Sequence, residues 1–242
     1  MRSLLHLLCA AAALLPLGGV ASAASFAVSP TRLVLSNTVV TSALTLSNST
    51  AAPSTVRVDV MVWSQVDGKD VLTPTTDVLA VPPVFTLPAN GKQVVRLALR
   101  DRTDIGAERS YRLVLQEVPP EQTAPAAGSA LNVVLRLSVP VFVQTAAVAA
   151  PRPEWKASIT GESLKLSVLN AGNAHVQVTG LNLQLPGMTT PLLDVPVFSY
   201  VLPGQSLTWT FPLPVGLKPG TPLDLSAKTD MGPFRAPVLT SP

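Results

Sequence analysis

Chemistry at a protein surface needs nucleophiles, metal ligands or acid–base pairs at workable spacing, and this chain offers few. Its 242 residues hold two histidines and one cysteine. Cys9 and His6 fall in the first 23 residues, which read as a leader that is removed, so His175 is the one imidazole left. A single ring cannot form a His/His metal pair. Without a thiol there is neither a thiolate nucleophile nor a zinc knuckle. A Ser-His-Asp triad would have to recruit His175, which opens a strand in Asn173-Ala174-His175-Val176, and no serine stands in a G-x-S-x-G turn. The closest acids, Asp67 and Asp70, flank Gly68-Lys69 in a turn and lack the further oxygens that calcium requires. No glycine-rich phosphate loop is present. The inventory argues against an enzyme and implies neither cofactor nor metal; His175 reads as a structural or exposed ring.

The leader is legible in physical terms. Arg2 supplies a positive start, residues 4–17 are apolar, and Ala21-Ser22-Ala23 forms a small-residue cleavage pattern. The apolar run is short for a membrane span. Cys9 sits inside that run with no small residue before it, which argues against a lipoprotein. Residues 1–23 are therefore expected to be a signal peptide, with the remainder exported. Seventeen basic and fourteen acidic residues, less Arg2, leave the exported part close to +2. The basic residues are scattered rather than striped, so nucleic acid is not an expected partner. Nothing after the leader reads as a membrane span. With no cysteine left, the exported fold must rely on burial rather than disulfides.

The elements that carry these residues read as strands throughout. Residues 43–48, 56–63, 94–99 and 110–118 alternate or are rich in strand formers, and Asp67-Gly68 is a hairpin signal. Proline and glycine clusters punctuate them, and no helical stripe exceeds two turns. Residues 121–130 form an Ala/Pro/Gly-rich loop. The run AAVAAPRP at 146–153 has little to bury and two prolines to stiffen it, so it reads as a linker. Further strands are expected at 164–169, 175–185, 206–211 and 223–228. The expected organisation is an all-β chain of two antiparallel sandwiches, residues 24–145 and 154–242.

One stretch stands out. In LNVVLRLSVPVFV, residues 131–143, every odd position is apolar while Arg136, Ser138 and Pro140 occupy even ones. An unbroken strand of this length would span roughly 43 Å, about twice the usual. Proline cannot donate to a ladder, so Pro140 belongs at an edge or a kink. A long apolar edge is normally blunted against aggregation. Either this is a core strand buried on one face, or another chain lies against its edge.

A series of short motifs then resembles a known family, the periplasmic pilus-assembly chaperones of the chaperone–usher system. FAVSPTRLVL at 26–35 is similar to its first strand and LTLSN at 44–48 to its second. PPVFTLP at 82–88 followed by GKQVVRL at 91–97, and ERSYRLVLQEVPP at 108–120, resemble its most recognisable segments. NAGNAHV at 170–176, VLPG at 201–204 and TDMG at 229–232 continue the series. Each motif is short; their order and spacing carry the resemblance.

The resemblance implies two immunoglobulin-like β-sandwich domains set at an angle with a cleft between them, working in the periplasm. It implies pilus or fimbrial subunits as clients and an outer-membrane usher as the recipient. Such chaperones lend an edge strand whose alternating side chains complete the client's sandwich, a form of β-strand addition. By position the donor strand is 131–143, with Leu131, Val133, Leu135 and Leu137 as the inserted row. Arg32 is implied to bind the client's C-terminal carboxylate, since arginine offers two parallel charge-assisted donors. Glu108 and Asp230 match acids that tie the domains together.

The sequence also departs from the pattern. A lysine usually serves as second anchor on the donor strand; Ser138 stands there, with Arg136 two residues earlier. The arginine expected at the junction aligns with Phe142, which implies a more apolar junction or the use of Arg109 or Arg112. The short loop and the missing cysteine pair resemble the archaic or sigma branches. Three other readings stay open: an exported structural or adhesive module similar to a pilus subunit, a secreted enzyme on a sandwich fold, and a chaperone-like protein with another client.

Overall fold

A computed structural model describes residues 26–119 and 134–242. The signal segment 1–23, the loop 121–130, and Leu131 and Val133 of the donor row lie outside the described residues. Seventeen strands are present and no helix among the described residues. The first body contains β1 (Phe26–Ser29), β2 (Leu33–Ser36), β3 (Thr41–Asn48), β4 (Ser54–Val66), β5 (Lys69–Pro74), β6 (Val78–Val81), β7 (Val84–Leu87), β8 (Lys92–Leu99), β9 (Arg109–Val118) and β10 (Arg136–Gln144). The second contains β11 (Pro153–Thr160), β12 (Ser163–Asn170), β13 (Val176–Gln184), β14 (Leu193–Val201), β15 (Ser206–Pro212), β16 (Pro222–Thr229) and β17 (Gly232–Ser241).

In the first body a sheet ordered β1-β3-β8-β6 faces a sheet ordered β2-β10-β9-β4-β5, with β7 also paired to β4. Strand alternation sends one set of side chains between the sheets. Leu33 and Leu35 meet Val139, Val141 and Val143, Tyr111, Leu113 and Leu115, and Val56, Val58 and Val60. Leu44, Leu46, Val95, Leu97 and Leu99 close the core from the other sheet. Each such side chain contributes about 1.5–3 kcal/mol of burial, which replaces the disulfide this chain lacks. The Asp67-Gly68 turn joins β4 to β5 with both φ positive, 51° and 73°, the requirement of a two-residue hairpin.

The second body is one winding path, β14-β13-β16-β17-β11-β12-β15. Its two halves are joined by a short parallel contact, Ala157 to Thr240 and Ser158 to Ser241. Leu164, Leu166, Val168, Val178, Leu181, Leu183, Leu223 and Leu225 fill the space between them. The strand expected to open on His175 begins at Val176. Two all-β sandwiches of immunoglobulin type therefore make up the described chain.

The segment between the bodies is tied down. Fully buried Asn170 accepts from Arg152 N and Gly172 N and donates to the carbonyls of Ala174 and Val201. Asn173 N donates to Ala150 O. A Cβ on Gly172 would collide with the Ala150 carbonyl and the Arg152 amide, so only glycine lets the linker approach so closely.

Candidate functional site: the cleft beside the open edge of β10

Two features of β10 position the site. Its C-terminal half is covered: Val141, Phe142, Val143 and Gln144 pair in parallel with Leu33, Val34, Leu35 and Ser36 of β2. Among the described residues its N-terminal half pairs only with β9, whose ladder runs from Arg136 opposite Gln116 to Val143 opposite Arg109. Residues 136–140 therefore form an open edge that ends where β2 begins. Glu117 N donates to Leu135 O, so the odd residues aim their backbone groups at β9. The N–H and C=O of Arg136 and Ser138 then face the open side. Pro140 falls on that side too, and its missing donor costs the β9–β10 ladder nothing.

The apolar row outruns its own core. Val139, Val141 and Val143 are 3%, 0% and 3% exposed. Leu137 packs only partly against the core and Leu135 is half-buried, on the same face.

The outer face of the same sheet carries the cations. Leu33 and Leu35 point inward, so Arg32 projects outward from the three-residue crossing between β1 and β2. The parallel register sets Arg32 opposite Pro140, and Pro140 is opposite Arg112 on β9. At about 4.8 Å per strand, the Cα atoms of Arg32 and Arg112 lie roughly 10 Å apart across the sheet. Arg136 and Ser138 share this face but sit four and two residues further along, about 13 and 7 Å away from the row. The structure thus places Arg112, rather than Arg136, beside Arg32.

Arg112 is stacked on an aromatic floor. Its Cζ lies 3.6 Å above the Trp63 ring and 5.5 Å from Tyr200, and Nη2 is 3.6 Å from Asp70 Oδ2. Burial lowers its pKa, opposed by Asp70 and Tyr200. Tyr200 belongs to β14 and reaches across from the second body. Burial raises its pKa, while Arg32 and Arg112 both act to lower it, so the hydroxyl sits within the field of both cations. It remains a neutral donor at neutral pH. A cleft of about 450 Å³ opens beside Arg112, lined also by Lys69, Phe198 and Leu207.

The junction of the two bodies is both apolar and ionic. Trp63, Phe142 and Leu202 form a buried cluster with Leu72 and Tyr200 against it. Phe142 stacks flat on His175, ring centroids 3.6 Å apart and 8° from parallel. Buried Gln65 donates to Tyr200 O at 2.9 Å and accepts from Leu202 N at 3.1 Å, fixing the end of β14. The hairpin tip leaves little room beside β15: a Cβ on Gly68 would come within 3.2 Å of Leu207.

Glu108 and Asp230 converge on His175. Glu108 Oε1 accepts from His175 N and lies 2.6 Å from Nδ1. Asp230 Oδ2 is 3.6 Å from His175 Nε2 and accepts from Arg32 Nη1 at 2.7 Å, while Oδ1 accepts from Gln177 N. Burial opposes the charge on Asp230, but His175, the Gln177 N–H and Arg32 outweigh it and hold the carboxyl well below its usual range. Burial likewise opposes a charge on His175, and Asp230 and Glu108 overcome it, raising the pKa. Arg109, one of the arginines considered for the junction, pairs instead with Asp101 within the first body. The imidazole takes the central place. Sequence reasoning missed it because a lone histidine at a strand start carries no signal; its partners come from five separated segments.

The fold is a two-sandwich module with an open strand edge and two neighbouring cations beside it. The model of the pili and flagellar-assembly chaperone family, PapD N-terminal domain, matches residues 25–149. The chain belongs to that family of pilus chaperones. Solved structures agree in fold at low identity. The CsuC–CsuE chaperone–tip adhesion subunit pre-assembly complex from archaic chaperone–usher Csu pili of Acinetobacter baumannii matches with TM-score 0.68 and 19% identity, covering 90% of this chain and 100% of that one. The complex of SafA pilin with the SafB chaperone from Salmonella enterica gives 0.59 and 22%, covering 88% and 95%. The E. coli chaperone DraB gives 0.58 and 22%, covering 88% and 96%. No curated protein matches the chain in sequence.

Proposed function

We propose that this protein is a periplasmic chaperone that captures incomplete pilus-subunit sandwiches by donor-strand complementation and passes them to an outer-membrane usher. The supporting observation is the apolar row of β10, which leaves its own core at Leu137 and Leu135 on an edge with no partner strand among the described residues. That row would fill the groove of a client lacking a strand, and the free N–H and C=O groups of Arg136 and Ser138 would pair with the client's backbone.

The edge also sets direction. The client's strand would continue the line of β2 along β10, ending at Arg32. A chain end that presents a carboxylate there must run parallel to β10. Arg32 and Arg112 would take the carboxylate, with the Tyr200 hydroxyl as a further donor, because a carboxylate drawn from water needs charge-assisted partners. Ser138 is the next donor along the edge, and Arg136 lies further out to pair with acidic groups of the client. Glu108 and Asp230 serve as interdomain contacts through His175. No chemical step and no cofactor is required.

The test is to isolate the protein from periplasm and identify its passenger by mass spectrometry. An incomplete immunoglobulin-like subunit bound one to one is the expected result. A small molecule, or no passenger in cells that express pili, would overturn the reading.

A further inference from the structure

In the free chain Arg32 is already engaged. Its Nη1 donates to Asp230 Oδ2 at 2.7 Å, and the same nitrogen lies 3.4 Å from His175 Nε2. A client carboxylate can use Arg32 fully only by displacing these partners, and the state of His175 decides how firmly they hold. The ring is fixed by its stack on Phe142. Nδ1, 2.6 Å from the Glu108 carboxylate, carries a proton in either charge state, since a carboxylate only accepts. The variable proton is the one on Nε2, poised between Arg32 at 3.4 Å and Asp230 at 3.6 Å.

That proton reverses what Nε2 does. Without it, Nε2 is an acceptor facing a residue that has only donors, so Asp230 and His175 hold Arg32 together. With it, Nε2–H donates to Asp230, competes with Arg32 for Oδ2, and repels the guanidinium. We infer that His175 is a positioning residue that sets, through the proton on Nε2, whether Arg32 is free to take a client's carboxylate. The inference rests on the reading of Arg32 as the carboxylate anchor.

The groups facing His175 are Glu108 from the segment before β9, Asp230 from the β16–β17 turn, Arg32 from the β1–β2 crossing and Tyr200 from β14, with Phe142 from β10 contributing no charge. Arg112 lies beyond Tyr200, over Trp63. Burial disfavours the charged ring, but the two acids prevail and move its titration above the ordinary histidine value. Capture is therefore favoured on the acid side of that titration and disfavoured on the alkaline side.

The probe is a synthetic twelve-residue peptide of alternating valine and threonine ending in a free carboxylate, compared with its C-terminal amide, from pH 5.5 to 9.5. The ring nitrogens of His175 are followed in parallel by NMR. The acid peptide should bind about tenfold more weakly above the His175 midpoint than below it, while the amide shows no such step. By linkage, saturation with the acid peptide should then raise the midpoint by about one pH unit. His175→Gln should abolish the step. Asp230→Asn, which replaces the carboxylate on Arg32 with a neutral amide, should tighten binding of the acid peptide on the alkaline side and shrink the step. An acid-over-amide preference that is the same at every pH, or a step that persists in H175Q, would overturn the gate and leave the anchor standing. Acid and amide binding alike at every pH, or neither binding, would remove the anchor and the gate with it.

Discussion

Arg32 and Arg112 occupy one row across three strands, and their roles separate by substitution. Arg32→Ala removes a fork donor from the end of the open edge while leaving Leu33 and Leu35 in the core. The expected outcome is a loss of client co-purification of at least tenfold, with the free protein still unfolding cooperatively and its urea midpoint lowered only by loss of the Arg32–Asp230 pair. Arg112→Lys should also weaken capture, because lysine keeps the charge but loses both the fork and the stack on Trp63. Pull-down yield against wild type checks both. Phe142→Ala acts differently. The ring is fully buried between Trp63 and His175, so its removal should cost about 3–5 kcal/mol in urea denaturation. Arg32, Glu108 and Asp230 were all legible as residues of interest from motif order. The pairing of the two acids through His175 was not, because the ring draws its partners together only once both sandwiches have formed.

At the scale of the strand, β10 is half core and half edge, and a charge tests which half matters where. Leu135→Glu places a carboxylate on the row beyond the covered core, where the free protein leaves the side chain half-buried. Client capture should be lost while the free protein keeps its cooperative unfolding transition in circular dichroism. Global unfolding would assign the residue to the chain's own core instead. Alternation was sufficient to find β3, β4, β8, β9 and β12 in the sequence, since each buries one face between sheets. It did not find β14 or β17, which carry Pro196, Pro233 and Pro237. Proline masks a strand in a sequence yet is tolerated where one side of the strand is unpaired: β14 is an edge, and β17 meets β11 only at residues 240–241. Of the strand read at 131–143, the described residues form β10 only from Arg136 to Gln144; that β2 covers just Val141 to Gln144 was not legible, because parallel register leaves no trace in a hydrophobic pattern.

The whole molecule is two sandwiches locked by an apolar cluster with an ionic rim, and that rim titrates. Asp230 has a depressed pKa, so its contribution is complete above the unfolded carboxyl's value near ~3.9 and is lost as pH falls below it. His175 has a raised pKa, so its contribution is complete below ~6.5 and is lost as pH rises through the higher folded value. The junction should therefore be firmest between roughly pH 4 and 6.5. Thermal midpoints measured from pH 3 to 9 should show this maximum. Asp230→Asn should flatten the acid limb and His175→Gln the alkaline one.

On the proposed function, the open half of β10 pairs with a client's backbone. Alternation gives it a signature at single amides. In the free protein the N–H groups of Leu137 and Val139 face β9, while those of Arg136 and Ser138 face the side with no partner strand among the described residues. Hydrogen exchange followed by NMR on the free chain and on its isolated client complex reads both sets at once. Arg136 and Ser138 should exchange fast when free and slow by orders of magnitude in the complex, with Leu137 and Val139 slow in both. A complex in which Arg136 and Ser138 exchange as rapidly as in the free chain would contradict it.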